Sequence, residues 1–123
     1  MLVLLDTSII IFLAETPSTF LDELGSKLGS VELSVPDSVI AELKGLARSR
    51  GVRSKKAKLA LSYAAGLKSL KLGGEADDAL VSLAQENGAV VATLDKALVS
   101  SLRRRGVMVA TLKGHRLMLA GKD

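Results

Sequence analysis

Four short runs rich in Val and Leu constrain this chain more than any other feature: LVLL at 2–5, VELSV at 31–35, AVVATL at 89–94 and VMVATL at 107–112. All are shorter than an ordinary helix, and LVLL carries no polar residue, as expected of a strand buried on both faces. The segments between them have helical spacing. IIIFLAE starts one helix, with Thr7 or Ser8 as its cap. Residues 19–28 form a second, and PDSVIAELKGLARS a third with Pro36 near its first turn. A basic stretch, RSRGVRSKKAK, leads into the helical pattern LALSYAAGLKSL, which Gly73 and Gly74 break. EADDALVSLAQENG follows, stopped by Gly88, and DKALVSSLRRRG precedes the last apolar run. KGHRLMLAG reads as a turn and a final short strand. Strands alternating with helices predict a three-layer α/β/α sandwich around a central, mainly parallel sheet. With 123 residues and neither linker nor repeat, residues 1–123 are expected to be one domain.

That arrangement gives meaning to Asp6. An isolated carboxylate inside an apolar run is costly to desolvate. Ligands of such sheets, however, sit beyond the carboxyl ends of the strands, and Asp6 falls where the first strand ends. Asp95 occupies the same kind of position after AVVATL. Glu42 lies among Val39, Ile40, Ala41 and Leu43, beside the buried stripe of its helix. Glu75, Asp77 and Asp78 open another helix, where the dipole favours negative charge. Each acid has a plain alternative: Asp6 or Asp95 as an N-cap, Glu42 as a solvated helix residue, the 75–78 acids as dipole partners. Order and spacing decide between the readings.

Taken in order, LLDTS, PDSVIAELKG, GEADDALVSLA and VVATLDKAL resemble the PIN-domain nucleases nearly end to end. The final VMVATLKGHRLML is most similar to the ribosomal-RNA-processing branch. The resemblance implies an acidic quartet of Asp6, Glu42, Asp78 and Asp95, with Asp77 as an alternative ligand to Asp78. Thr7, Ser8 and Thr93 match positions that support the acids. Ala97 stands where many relatives carry a further acid. Several close carboxylates raise one another's pKa, and Mg²⁺ or Mn²⁺, which suit all-oxygen ligands, relieve that repulsion. The implied reaction is metal-dependent hydrolysis of RNA phosphodiester bonds by an activated water. Asp6, Asp95 and Asp78 are expected as metal ligands, and Glu42 as a water-mediated ligand or as the base orienting the nucleophile.

The remaining composition narrows the partners. The chain has no cysteine and one histidine, which excludes disulfides, thiolate sites and His-rich zinc centres. Aromatic residues are 2% of the total, so base stacking is a poor handle and phosphates a better one. The net charge of +4 is compatible with a polyanion. Lys44, Arg48, Arg50, Arg53, Lys55, Lys56 and Lys58 are expected to form an RNA-tracking surface. Arg103, Arg104 and Arg105 read as charge at a helix C-terminus, and His115 as a structural or RNA-contacting turn residue. The opening lacks a positive leader, and no other stretch approaches the roughly 18 apolar residues of a membrane span. A cytoplasmic protein is therefore expected, with no membrane partner.

Two biological settings fit: ribosomal RNA processing alongside ribosome-assembly factors, or a VapC-type toxin restrained by an antitoxin. A homodimer is compatible with either. A non-catalytic, RNA-binding PIN domain is the rival reading, which the full set of acids disfavours. A phospho-receiver domain needs an acidic pair at the end of its first strand, where this chain has LeuLeuAspThrSer.

Overall fold

The structure, a computed structural model, describes residues 1–71 and 76–121, and for residues 76 and 77 the backbone alone. The expected break at Gly73–Gly74 and the carboxylate of Glu75 lie outside the described residues. In chain order the elements are β1 (Leu2–Leu5), α1 (Thr7–Glu15), α2 (Phe20–Leu28), β2 (Glu32–Pro36), α3 (Asp37–Ala47) and α4 (Val52–Ala64). They continue with β3 (Lys68–Leu70), α5 (Ala76–Asn87), β4 (Val90–Ala92), α6 (Lys96–Arg104), β5 (Val109–Lys113) and β6 (Arg116–Ala120).

The sheet order is β3-β2-β1-β4-β5-β6. All pairings are parallel except β5 with β6, which form an antiparallel hairpin from Val109↔Ala120 to Lys113↔Arg116. Gly114, in the hairpin turn, has φ +63°, a conformation that favours glycine. β1 lies inside the sheet, and its side chains alternate between two cores. Val3 and Leu5 join Ile9, Ile10, Phe20, Leu24, Leu43 and Ala57 on one face. Leu4 joins Leu80, Val81, Ala84, Leu102 and Val109 on the other. This two-sided burial accounts for the unbroken apolar run LVLL and bears out the expected three-layer architecture.

Of the two N-cap readings for α1, the structure selects Asp6 over Thr7 or Ser8: its carboxylate accepts from the Ile9 N–H at 3.1 Å. Two local expectations are revised. The fourth helix begins at Val52, inside the basic stretch. Ser54, Ala57, Ala60 and Ala64 form a buried row at helical spacing there, and the surrounding lysines and arginines occupy the wet face. LKSL is not the end of that helix; Lys68–Leu70 is a short edge strand paired with β2.

The strand order reverses between β1 and β4, which run side by side while their connections leave in opposite directions. In open parallel sheets that reversal splays the loops apart and opens a crevice at the carboxyl ends. Asp6 follows β1, and Thr93 to Asp95 follow β4.

Candidate active site

At that crevice lies a cleft of about 420 Å³ walled by Asp6, Thr7, Ser8, Ile11, Pro36, Ser38, Val39, Glu42, Leu80, Asp95 and Leu98. Three of the four expected acids therefore share one cavity. Each arrives from a different strand end: Asp6 after β1, Glu42 from the helix after β2, Asp95 after β4.

Asp6 is the most constrained of them. Its Oδ1 accepts from the Ser8 hydroxyl at 2.8 Å and from the Ile9 N–H, and its Oδ2 accepts from the Thr93 hydroxyl at 2.5 Å. Ser8 Oγ in turn accepts from the Leu94 N–H at 2.9 Å, and Thr93 Oγ1 from the Asp95 N–H at 3.0 Å. Two hydroxyls thus pin the β1–α1 junction to the β4–α6 junction. The Asp6 N–H also reaches the Ala92 carbonyl at 3.2 Å, extending the sheet to its rim.

Burial pushes the Asp6 carboxyl above its ordinary range, and the nearby Asp95 charge adds to the rise. The donors from Thr93, Ser8 and Ile9 act the other way. Charge-assisted hydrogen bonds contribute on the order of 1.5–3 kcal/mol each, yet here they do not overcome desolvation. Asp6 is a largely buried carboxyl group held by three donors, and burial disfavours its ionised form.

Asp95 is exposed and caps α6, its Oδ1 accepting from the Ala97 and Leu98 N–H groups at 2.9 and 3.2 Å. Glu42 is exposed on α3 and lines the cleft together with Ile11. Ser38, four residues earlier and so on the same helix face, brings a hydroxyl to the wall that the sequence reading did not single out. Its signal was the spacing from Glu42.

Asp78 is not among the cleft-lining residues. It is solvent-exposed, and its Oδ1 lies 3.2 Å from Arg105 Nη1. The Asp77 carboxylate lies outside the described residues. His115 is exposed in the β5–β6 turn and does not line the cleft. Of the seven basic residues between 44 and 58, none lines the acid cleft. Among the described residues no three acidic or imidazole side chains are grouped closely enough to enclose a metal ion, and no helix is long and apolar enough to cross a membrane.

The sequence profile of the PIN like domain family matches residues 3–115. The chain belongs to that family. The resemblance to PIN-domain nucleases read from the motifs is thereby borne out, and the fold agrees. A solved structure described as the PIN domain endonuclease Utp24 is similar over 98% of this chain and 93% of its own, with 24% identity and a TM-score of 0.74. A domain of a functionally unknown protein from Methanocaldococcus jannaschii DSM 2661 is similar over 94% of this chain and 93% of its own, with 19% identity and a TM-score of 0.66. A search of curated proteins finds no match. At these identities the likeness to solved structures speaks for the fold, and the PIN-like cleft must be read from its own residues.

Proposed function

We propose that this PIN-like domain is an endoribonuclease that hydrolyses RNA phosphodiester bonds with the help of Mg²⁺ or Mn²⁺. The observation that carries the reading is Asp6: a carboxyl raised by burial and by Asp95, at the rim of a cleft that also holds Glu42. The donor set fits a hard divalent cation, since the cleft offers carboxylate and hydroxyl oxygens and neither thiolate nor imidazole. Mg²⁺ in particular is held by one or two carboxylates, with waters and substrate phosphates completing its shell, so a pair such as Asp6 and Asp95 suffices. The endonuclease named among the similar structures supports nuclease chemistry on this fold.

A bound cation would lower the pKa of water and neutralise charge developing on the phosphoryl group. The chain's own residues do the rest. Ser8, Thr93 and the Ile9 N–H hold both Asp6 oxygens in fixed directions. The α6 N-terminus, through the Ala97 and Leu98 N–H groups, fixes Asp95. Glu42, from α3, lines the same cleft and would orient an attacking water or accept its proton. Ser38 adds a hydroxyl for a phosphate oxygen.

The last acid is proposed to come from the first turn of α5, at position 77 rather than 78. The buried face of that helix is Leu80, Val81 and Ala84, and helical spacing alone continues this row back through position 77. A role in ribosomal RNA processing rests on the LKGHR turn, whose pattern is similar to that branch of the family.

The deciding experiment incubates wild-type protein and Asp6→Asn with total RNA, with and without Mn²⁺, and maps the new ends. Cleavage by the wild type that needs Mn²⁺ and vanishes in Asp6→Asn is expected. Full activity in Asp6→Asn would overturn the assignment.

A further inference from the structure

A second depression of about 480 Å³ lies among α1, α3 and α4, walled by Ile11, Glu42, Leu46, Val52, Arg53 and Lys56. It shares Ile11 and Glu42 with the acid cleft, so the two form one continuous surface. Their chemistry differs. The acid cleft presents three carboxylates; its neighbour presents Arg53 and Lys56 above an apolar shelf, together with the shared Glu42 carboxylate.

The local sequence explains why, among the described residues, these two cations face it. Arg53 and Lys56 are three residues apart on α4 and share a side. The row Ser54, Ala57, Ala60 and Ala64 is buried against α1 and α3, and its small side chains let α4 settle close. Ser54 Oγ donates to the Ala47 carbonyl at 2.9 Å, which ties the start of α4 to the end of α3. Arg53 and Lys56 are thereby held at the edge of the groove, whereas Lys44, Arg48, Arg50, Lys55 and Lys58 do not line it. Lys56 Nζ lies 3.7 Å from Glu15 Oε1, a loose pair between solvent-accessible groups worth at most about 1 kcal/mol. An arriving phosphate displaces it at little cost. Among the described residues Arg53 has no ion-pair partner. Val52 is 70% exposed at the same place, a large apolar side chain beside two cations.

A polyanion entering a site with three carboxylates needs compensating charge close by. We propose that the α1–α3–α4 groove is a flanking-phosphate subsite. Arg53 and Lys56 hold the RNA phosphate next to the one lying over the acids, and Val52 and Leu46 pack beneath its nucleoside. The proposal rests on the nuclease reading for its substrate. Arg53 and Lys56 act as positioning residues.

The test uses a fluorescent single-stranded RNA of about fifteen nucleotides, with EDTA to prevent cleavage, and anisotropy titrations between about 50 and 200 mM salt. Arg53→Gln/Lys56→Gln is compared with the charge-matched Lys27→Gln/Arg104→Gln, whose residues lie outside both cavities. The groove variant is expected to bind about tenfold more weakly, with a salt slope smaller by about 0.7, the loss of one phosphate contact on a single strand. The control should change less than about twofold. With Mn²⁺, the groove variant should show a raised KM and a kcat within about twofold of wild type. Unchanged melting temperatures exclude misfolding of these surface variants. Equal weakening by both pairs, a fall in kcat alone, or no RNA binding by the wild type would each overturn the subsite. RNA binding with the expected difference but no cleavage under any metal would leave the subsite standing and remove the nuclease reading.

Discussion

Thr93 Oγ1 donates to Asp6 Oδ2 across 2.5 Å, joining two residues 87 positions apart at the carboxyl ends of adjacent parallel strands. Thr93 is completely buried, and the same hydroxyl oxygen accepts from the Asp95 N–H. One side chain therefore ties the Asp6 carboxylate to the backbone of Asp95. Thr93→Val keeps the shape but removes both bonds, leaving the Asp95 N–H and one Asp6 oxygen without their partner. An unsatisfied buried group costs on the order of 1–3 kcal/mol, so urea denaturation should show a loss of that size. Losing a donor to the ionised form pushes the Asp6 carboxyl up further. The acid limb of the cleavage–pH profile should therefore move to higher pH, with activity at neutral pH down by about tenfold. Thr93→Ser, which keeps the hydroxyl, should recover most of both.

Asp6 itself makes a prediction about stability that is separate from activity. Its carboxyl is raised from the ordinary value of 3.8, so the folded protein holds that proton more tightly than the unfolded chain. Its contribution to metal-free stability is therefore highest at low pH, and falls as pH rises through the ordinary carboxyl range towards the raised value. Asp6→Asn keeps an acceptor for the Ile9 N–H and carries no buried charge. In EDTA at pH 7 its melting temperature should exceed that of the wild type by about 2–5 °C, with the gap closing below about pH 4. Mn²⁺ at about a hundred times its dissociation constant should stabilise the wild type by about 2.7 kcal/mol and leave Asp6→Asn unmoved. A metal-free wild type more stable than Asp6→Asn at pH 7 would contradict the electrostatic account.

How much of this was legible beforehand follows from the range of the interactions involved. β1, β4 and their acids could be read because a strand covered on both faces leaves a local imprint, an apolar run that stops at a carboxylate. The cap of α1 stayed open between Asp6 and Thr7 or Ser8 because Asp and Ser serve equally well as N-caps. The choice was made by Thr93 and Leu94, more than eighty residues away, which engage Asp6 and Ser8. β3 was missed because three residues carry almost no periodicity and Leu67 and Leu70 fit a helix equally well. The start of α4 was hidden by its cations, since its buried face is written in Ser and Ala rather than in large apolar residues. Ser38 and the α1–α3–α4 groove depend on three helices packing together, which no local pattern records.

The two acids at the start of α5 can be separated experimentally. Asp78 is exposed and paired with Arg105, an interaction worth about 0–1 kcal/mol at such a surface. Asp78→Asn should lower stability by no more than that and leave Mn²⁺-dependent cleavage within about threefold of wild type. Asp77→Asn, at the position that continues the Leu80–Val81–Ala84 row, should lower cleavage at least about a hundredfold. Arg105→Gln should mimic Asp78→Asn in stability. A reversal, with Asp78→Asn inactive and Asp77→Asn active, would assign the ligand to Asp78 and require its release from Arg105 during turnover.

Ser34 supplies a prediction remote from the chemistry. It is fully buried in β2, pairs in register with Leu4 and Lys68, and its hydroxyl finds no hydrogen-bond partner among the described residues. Leu33 and Val35 belong to the helix α1–α4 core, so strand alternation turns Ser34 to the opposite face, where Leu4 packs with Leu80 and Val81. A buried hydroxyl without a partner forfeits its hydration and gains nothing in exchange. Ser34→Ala removes that group and leaves a gap of a single oxygen atom. Chemical denaturation should show the variant more stable by about 1 kcal/mol, with an unchanged m-value. Cleavage should be unaffected, since Ser34 does not line the acid cleft. A loss of stability of that size would mean instead that an ordered water satisfies the hydroxyl.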